Sequence, residues 1–470
     1  LCDWSSDVCS SDLLSSNNRK RQGDTKKDIT MKNSSNNLSQ ESPVCPGPID
    51  LWSPNRRGFM QAGMGGFLSL FFAEWLGATN RADAQTTPKN SRPKSCILLW
   101  MNGGPSHLET FDPKPGTATG GSTTAIKTRV PGLEIAAGFP QVAEVADRLA
   151  ILRGMTSKEG NHQRAQYLMH TGYAPNPTII HPSLGAWVNE ELGATNADLP
   201  NFVSINGPSL GAGFLGVQYA PFVIQNPNQS PQNIAYARNV TAERFDMRQN
   251  GLNFLEQGFQ NETQDAKVKG HREVYSKAVR MMHSPHLKAF DVKDEPMALQ
   301  QAYGNTNFGK GCLMARRLIE SGVRFVEVVQ DGWDTHKDNF NRTTKILSGV
   351  DPAMATLIKD LAERSLLDST LVIWMGEFGR TPRINANEGR DHYPQAWNVA
   401  LAGGGVRPGV YGATNETGEK VVDKPILVPD LFATVATLLG MKPAKTFTSP
   451  IGRPISLTEK GSVMPELVGG

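Results

Sequence analysis

Cysteine is scarce in this chain of 470 residues, and its distribution excludes two common kinds of site. Of five cysteines, Cys2, Cys9 and Cys45 precede the main body, which keeps only Cys96 and Cys312. No CxxC pair occurs that would indicate a structural zinc site, and a disulfide-rich scaffold is excluded. Cys96 and Cys312 could form one disulfide or could be small buried side chains.

An excess of charge is also absent, since 48 Lys and Arg balance 45 Asp and Glu. Many of the basic residues precede residue 95, so the main body has no basic surplus suited to nucleic acid. We therefore expect no nucleic acid partner. The 39% hydrophobic and 20% charged side chains are typical of a globular protein with a sizeable core. The sequence shows neither internal repeats nor long low-complexity segments, and it does not predict an oligomeric state.

The first residues do not resemble a protein sequence. "LCDWSSDVCSSDL" resembles a translated sequencing adapter, and the polar segment after it has no apolar period. We interpret residues 1–30 as a non-native or untranslated leader, with Met31 as the expected start.

An export signal is predicted for residues 31–84. Arg56 and Arg57 precede an apolar run from about Phe59 to Leu76, and small residues at 82–84 offer a cleavage site. The run is short for a bilayer span and contains Gln and Glu, which favours a twin-arginine signal over a membrane anchor. We expect export of the folded protein to the periplasm or the extracellular space, with no stable membrane span in the mature chain.

Six short apolar runs predict strands that are buried on both faces. They begin near Cys96, Leu149, Phe202, Val323, Thr370 and Trp397. Helical patterns such as "GKGCLMARRLIESG" and "VPDLFATVATLLG" lie between or after them, so we predict an α/β fold with a mixed, mostly parallel sheet and helices on both faces. Residues 85–94 are predicted as a linker, 95–460 as a single domain, about 208–300 as a partly helical insertion, and 461–470 as a tail.

Polar residues follow four of the predicted strands. Because ligands gather at the carboxyl ends of strands in such sheets, we expect these residues to converge at one edge. Asp334 and His336, two residues apart, could share a divalent metal ion, with Glu377 and His392 as further ligands. Asn102 could be a neutral oxygen ligand.

Further polar candidates lie in the same predicted loops. His107 could be a ligand or a hydrogen-bond donor, Ser106 carries the hydroxyl of that turn, and His162 with Arg164 offers donors for an anionic group.

Each of these residues also has an ordinary explanation. The Asp334-to-His336 segment could be a capped turn with a surface histidine. Glu377 could pair with Arg380 or Arg383, and Asp391 could be a turn residue or could orient His392.

Several motifs together resemble the bacterial family called domain of unknown function 1501. They are "ILLWMNGGPSHLETFDPKPG", "NHQRAQYLMHTGYAPNPTIIHPSLGAWV", "QDGWDTHKDN" and "WMGEFGRTPRIN" followed by "GRDHYPQAWNVALAGGG", and the resemblance spans about residues 95–441. That family is similar in fold to the alkaline phosphatase and sulfatase superfamily. The resemblance therefore implies an alkaline-phosphatase-like sandwich that hydrolyses phosphate or sulfate esters with one or two metal ions.

The resemblance carries over residue by residue only in part. "DGWDTH" resembles the late ligand pair of the superfamily and implicates Asp334 and His336, while His392 resembles its final histidine ligand. Glu377 and Phe378 stand where an Asp and a His are usual. Asn102 stands where the first Asp is usual, which reduces the ligand charge.

The departure that matters most is at the nucleophile. "NHQRAQYLMHTG" resembles the sulfatase nucleophile segment, yet no Cys or Ser occupies the nucleophile position, so a formylglycine sulfatase is not expected.

These considerations predict an exported, metal-dependent hydrolase of phosphate or sulfate esters that acts on an anionic small molecule or glycan. The metal could be zinc, calcium or magnesium. A metal-bound water, His162 or Ser106 would attack, while Arg164 or Arg380 would offset developing charge. The alternative is a non-catalytic protein of the same fold that binds a metal or an anionic glycan.

Overall fold

A nine-stranded mixed sheet organises the part of the chain that the computed structural model describes, which is residues 95–469 without 233, 264 and 265. The predicted leader (1–30), signal (31–84) and linker (85–94) lie outside the described residues. The strands are β1 (Ser95–Met101), β2 (Ala125–Lys127), β3 (Glu134–Ala136), β4 (Leu149–Thr156), β5 (Phe202–Ile205), β6 (Phe222–Ile224), β7 (Phe325–Gln330), β8 (Thr370–Met375), β9 (Gly379–Arg380), β10 (His392–Tyr393), β11 (Trp397–Gly403), β12 (Gly409–Tyr411), β13 (Ala413–Thr414), β14 (Val421–Asp423), β15 (Ile426–Leu427), β16 (Thr446–Thr448) and β17 (Pro454–Ser456).

Helices connect many of these strands. The α-helices are α1 (Pro140–Ala143), α2 (His162–Thr171), α3 (Leu184–Leu192), α4 (Ala242–Thr263), α5 (Ala266–Met282), α6 (Met297–Tyr303), α7 (Asn307–Glu320), α8 (Asn339–Glu363) and α9 (Val428–Leu438). Short 3-10 helices are formed by Ala146–Arg148, Gly213–Leu215, Val217–Tyr219, Pro285–Phe290, Val292–Asp294 and Leu367–Ser369. Among the described residues, we find no helix whose length and apolarity would allow it to cross a membrane.

The strand order of the sheet is β12-β4-β11-β8-β1-β7-β5-β6, and β15 also pairs with β4. Strands β8, β1, β7, β5 and β6 pair in parallel, whereas β11 runs antiparallel to both β8 and β4. The predicted α/β fold with a mixed, mostly parallel sheet is confirmed, and all six apolar runs form strands of this sheet. The carboxyl ends of β1, β4, β7 and β8 therefore share one edge with the start of β11.

Strand β1 shows why its sequence is apolar without alternation. Ile97, Leu99 and Met101 enter one buried cluster with residues of α7 and α8, while Leu98 and Trp100 enter a second cluster with residues of α2, α3 and α9. Helices thus cover both faces of the sheet, so both sets of side chains are excluded from water.

The segment 208–300, predicted as an insertion, contains helices α4 and α5 and also contributes an edge strand to the sheet. Strand β6 pairs in parallel with β5, with Val203 opposite Phe222. Cys96 and Cys312 are both buried free thiols. Burial raises the pKa of each thiol far above its usual range, so neither has thiolate character.

Candidate metal centre

Three histidines and one aspartate meet at the carboxyl edge of the sheet. The Oδ1 atom of Asp334 lies 3.4 Å from His162 Nε2, 3.1 Å from His336 Nε2 and 3.4 Å from His392 Nε2. The two Nε2 atoms of His336 and His392 are 3.0 Å apart. We call these four side chains the histidine cluster.

Asp334 and His336 reach the cluster on the loop that follows strand β7. This loop packs directly against Gly103, whose φ angle is +116°, and a Cβ atom there would lie 2.4 Å from the backbone nitrogen of Asp334. A glycine is therefore required at 103 if the Asp334 loop is to approach this closely. Gly389 has the same role at the other side, because its Cβ would lie 1.9 Å from the carbonyl oxygen of His336.

His162 is the first residue of helix α2. Asn161 caps the helix by accepting a hydrogen bond from the backbone nitrogen of Arg164, and this fixes where the helix begins. His392 reaches the cluster from a different direction. It pairs with Arg380 across the short antiparallel strands β9 and β10, just before β11.

Hydrogen bonds to Nδ1 fix the orientation of all three imidazole rings. The Nδ1 of His162 lies 2.6 Å from Glu377 Oε1, that of His336 lies 2.7 Å from Asp391 Oδ1, and that of His392 lies 2.9 Å from the Gly160 carbonyl oxygen. Carboxylate and carbonyl oxygens only accept, so each Nδ1 carries the proton. Each neutral ring then presents an Nε2 lone pair to the cluster.

The pKa values of His162, His392 and Asp334 are shifted by different partners. The hydrogen bond to Glu377 raises the pKa of His162. Burial, and next the charge of Arg380, lowers the pKa of His392. Burial acts to raise the pKa of Asp334, but the hydrogen bond and charge of Arg380 outweigh it and lower that pKa to about 2. Asp334 is therefore a carboxylate at neutral pH.

Arg380 brings a permanent positive charge to the centre. Its guanidinium is fully buried, donates to Asp334 Oδ1 at 2.5 Å, and also donates to the carbonyl oxygens of Gly103, Gly104 and Arg390. Because backbone carbonyls hold three of its contacts, the position of this charge is set by the fold.

The cluster fits a divalent metal ion on its own geometry. Two Nε2 lone pairs at 3.0 Å repel one another unless a cation or a proton lies between them, and the buried Nε2 of His162 has no hydrogen-bond partner. Ligands at about 2.0–2.1 Å from a tetrahedral metal are about 3.3–3.4 Å apart. The separations from Asp334 Oδ1 are 3.1–3.4 Å, and the donor atoms of His162, Asp334 and His392 all lie within 4.8 Å of one another. Imidazole nitrogen and carboxylate oxygen are ligand types that bind transition metals.

Glu377 and Asn102, expected as ligands, have other partners. Glu377 is 1% exposed, and its two oxygens accept from the backbone nitrogen of Gly103 at 3.0 and 3.2 Å as well as from His162. It holds a histidine rather than offering a free oxygen to the cluster. The side chain of Asn102 makes hydrogen bonds with Gln166 and Asp331.

Three further candidates make no described contact with a side chain of the cluster. Ser106 is 3% exposed, and its Oγ has no hydrogen-bond partner. His107 is fully buried, with Nε2 2.9 Å from the Gly418 carbonyl oxygen. Arg164 is exposed and makes two hydrogen bonds to Glu159, at 2.6 and 2.7 Å. Among the described contacts of these three residues, none reaches the histidine cluster.

Two contributions to the centre were missed at the level of sequence. Gly160 acts through its carbonyl oxygen, a group that every residue has, so no sequence signal marks it. Asp391, considered above as a partner of His392, instead contacts His336.

Phe378 lies against the rings of both His162 and His392, with centroid distances of 5.0 and 4.6 Å, and forms an apolar wall.

This α/β protein with a histidine-rich centre at the carboxyl edge of its sheet belongs to the family described as Protein of unknown function (DUF1501), which it matches over residues 93–468. A comparison with curated proteins finds no match.

Solved structures show distant similarity. A sulfatase, PsFucS1, from Pseudoalteromonas sp. is 12% identical, covering 75% of this chain and 69% of its own, with a TM-score of 0.36. A protein of the alkaline phosphatase superfamily from Vibrio parahaemolyticus is 11% identical, covering 75% and 67%, with a TM-score of 0.33. The C-terminal periplasmic domain of EcEptC from Escherichia coli is 8% identical, covering 78% and 89%, with a TM-score of 0.35. No activity of this chain follows from similarities this distant.

Proposed function

We propose that this chain is a metal-dependent hydrolase of phosphate or sulfate esters. One observation carries the proposal: three imidazole rings, each fixed through Nδ1, direct their Nε2 lone pairs toward one carboxylate oxygen of Asp334. Histidines oriented through one ring nitrogen by carboxylates and carbonyls in this way are characteristic of metal ligands.

The donor set favours zinc or a similar transition metal. Calcium and magnesium prefer oxygen ligands, whereas His162 and His392 supply nitrogen and Asp334 supplies the oxygen. His336 Nε2, 3.1 Å from Asp334 Oδ1, could add a third nitrogen. A bound divalent ion would supply Lewis-acid stabilisation of negative charge on the ester.

The residues around the cluster suit an anionic group. Buried Arg380 offsets charge on the phosphate or sulfate without reorganising, because its position is fixed by backbone carbonyls. Phe378 excludes water from one side of the rings. Hydrolysis breaks the phosphorus–oxygen or sulfur–oxygen bond to the alcohol, water supplies the new oxygen, and the departing alcohol takes a proton. The export signal predicted for residues 31–84 supports an activity in the periplasm or outside the cell.

A second function is favoured by a specific observation. In the described part of the chain, no Ser, Thr or Cys side chain makes a hydrogen bond or ion pair with a side chain of the histidine cluster, so none is activated as a nucleophile by these residues. The alternative is a non-catalytic protein that uses the same metal to bind an anionic ligand.

Elemental analysis and kinetics of the purified full chain separate the two functions. Metal content would be measured for the wild type, for His336→Ala and Asp334→Ala, and for His286→Ala, an exposed histidine outside the cluster, as the matched control. We expect about one metal ion per chain in the wild type and the control, and loss in the two cluster variants.

Turnover of 4-nitrophenyl phosphate and 4-nitrophenyl sulfate by the same samples decides the activity. Hydrolysis that disappears in step with the metal supports the hydrolase. Bound metal without turnover supports the binding protein, and absence of metal from the wild type after incubation with zinc defeats both.

A further inference from the structure

A row of polar side chains lies beside the histidine cluster and has no role in holding it. Gln166 is one helical turn after His162 on α2, so the two side chains share one face of the helix. Gln166 Nε2 lies 2.6 Å from Asn102 Oδ1, and Asn102 Nδ2 lies 2.7 Å from Asp331 Oδ1. We call Asn102, Gln166 and Asp331 the polar row.

The direction of every hydrogen bond in the polar row follows from Asp331. A carboxylate only accepts, so Asn102 must turn its NH₂ group toward Asp331 and its carbonyl oxygen toward Gln166. Gln166 must then present its own NH₂ group to Asn102. The opposite end of its amide, Oε1, makes no hydrogen bond to any other described residue.

The unused groups of the row are therefore a mixture of donors and acceptors. Gln166 Oε1 and Asp331 Oδ2 are free acceptors among the described residues, and the second hydrogen of each amide is a free donor. A hydroxyl group both donates and accepts, so neighbouring hydroxyls can satisfy such a row in alternation. A phosphate or sulfate oxygen could use only the donors.

Charge points to the same kind of ligand. Asp331 is exposed and forms no ion pair within the described chain, whereas the buried guanidinium of Arg380 lies in the neighbouring centre. The centre suits an anion, and the polar row repels one.

We infer that the polar row binds the alcohol portion of the substrate, and that this portion is a neutral, polyhydroxylated group such as a sugar. The inference rests on the proposed ester hydrolase and specifies its substrate as a sugar monoester with its single anionic group at the metal. Gln166 and Asp331 are then specificity-determining residues.

Paired substrates test the inference on the zinc-loaded full chain. Glucose 6-phosphate and glucose 6-sulfate would be compared with 4-nitrophenyl phosphate and 4-nitrophenyl sulfate by release of the inorganic anion. The measured quantity is the ratio of kcat/KM for the sugar ester to that for the aryl ester. Gln166→Leu and Asp331→Ala are the test variants, and Gln257→Ala on helix α4 is the exposed control.

We expect the control to keep the ratio of the wild type, and each test variant to lower that ratio by about 3- to 10-fold, the effect of one lost hydrogen bond. If the ratio is unchanged in both variants while both esters are still hydrolysed, the polar row is not a sugar site. The proposed hydrolase function would not be affected by that result. If neither the sugar esters nor the aryl esters are hydrolysed, both the proposed hydrolase function and this inference are contradicted.

A second measurement tests the charge of Asp331. The wild type should discriminate against fructose 1,6-bisphosphate relative to fructose 6-phosphate, because the second phosphate would meet Asp331. Asp331→Asn should reduce that discrimination by several-fold. Equal discrimination by the wild type and Asp331→Asn would contradict the inferred position of the alcohol portion.

Discussion

Two histidines on helix α2 have opposite chemical environments. His162, at the start of the helix, has one acceptor at Nδ1, while its Nε2 is buried without a hydrogen-bond partner. His170, near the end, has an acceptor at each nitrogen: the Gln166 carbonyl oxygen 2.8 Å from Nδ1 and Glu327 Oε1 3.2 Å from Nε2. Glu327 also accepts a hydrogen bond from Ser209.

The difference shows how one side-chain type can serve two purposes. Acceptors on both nitrogens favour the imidazolium form, so His170 and Glu327 make a satisfied buried ion pair between the helix and strand β7. Burial acts to lower the pKa of His170, but the charge and hydrogen bond of Glu327 outweigh it, and the pKa is raised. His162 keeps one nitrogen available for a ligand. The number of ring nitrogens that have a hydrogen-bond partner, rather than burial, distinguishes the structural histidine from the candidate ligand.

The largest expected effect is on the structural pair. Glu327→Ala leaves the buried charge of His170 without a partner, and we expect it to lower the free energy of unfolding by about 3–5 kcal/mol. Urea unfolding measures this loss. The double variant His170→Phe/Glu327→Leu removes both polar groups and should recover much of the stability. Equal losses in the single and double variants would show that the ion pair is not the cause.

His162→Ala should act on metal binding instead of stability. If a binding free energy of roughly 10–16 kcal/mol is shared among four ligands, one ligand contributes about 3 kcal/mol, so we expect zinc affinity to fall about 100-fold. Competition with a zinc chelator measures the affinity, and urea unfolding of the metal-free protein measures stability. The comparison of the two histidines fails if His162→Ala leaves zinc affinity unchanged.

The two carboxylates that orient ligands should differ in importance. Glu377 is buried, whereas the side chain of Asp391 is 57% exposed. Substituting a residue that orients a ligand typically reduces metal affinity by about 10- to 100-fold. We expect Glu377→Gln to reduce zinc affinity by about 100-fold and Asp391→Asn by only about 10-fold, as measured by the same chelator competition. A larger loss of metal affinity in Asp391→Asn than in Glu377→Gln would mean that the orientation of His336 matters more for metal binding than that of His162.

The smallest effect concerns pH and the His170 pair. The unfolded pKa of histidine is about 6.5 and the folded pKa of His170 is higher, so its stabilisation is complete below about pH 6.5 and is lost as pH rises through the folded value. The stability difference between wild type and His170→Gln should thus be larger at pH 6 than at pH 9 in urea unfolding. A difference that grows with pH would contradict the sign of the shift.

Much of the fold follows from local pattern. The six apolar runs and the helices at 307–320 and 428–438 were readable because burial on both faces removes polar residues from a strand, and burial on one face leaves a helical period. Segment 208–300 was only partly predictable, because β6 is three residues long and its pattern is too short to distinguish.

The site was harder to predict than the fold. The sequence placed acidic and histidine residues after the strands, and they do lie at one edge. It could not tell that Glu377 would accept hydrogen bonds from Gly103 and His162, since these residues are 274 and 215 positions away from it in the chain. Nor could it tell that His107 would be enclosed beside Gly418.

Sequence alone set the strands, the helices and the edge where polar residues collect, because side-chain periodicity is a local property. The tertiary structure set which nitrogen of each histidine is free, because that depends on acceptors such as the Gly160 carbonyl and Asp391 brought from distant loops. A hydrogen bond requires its two atoms within about 3 Å, and this distance is fixed only when the whole sheet is assembled.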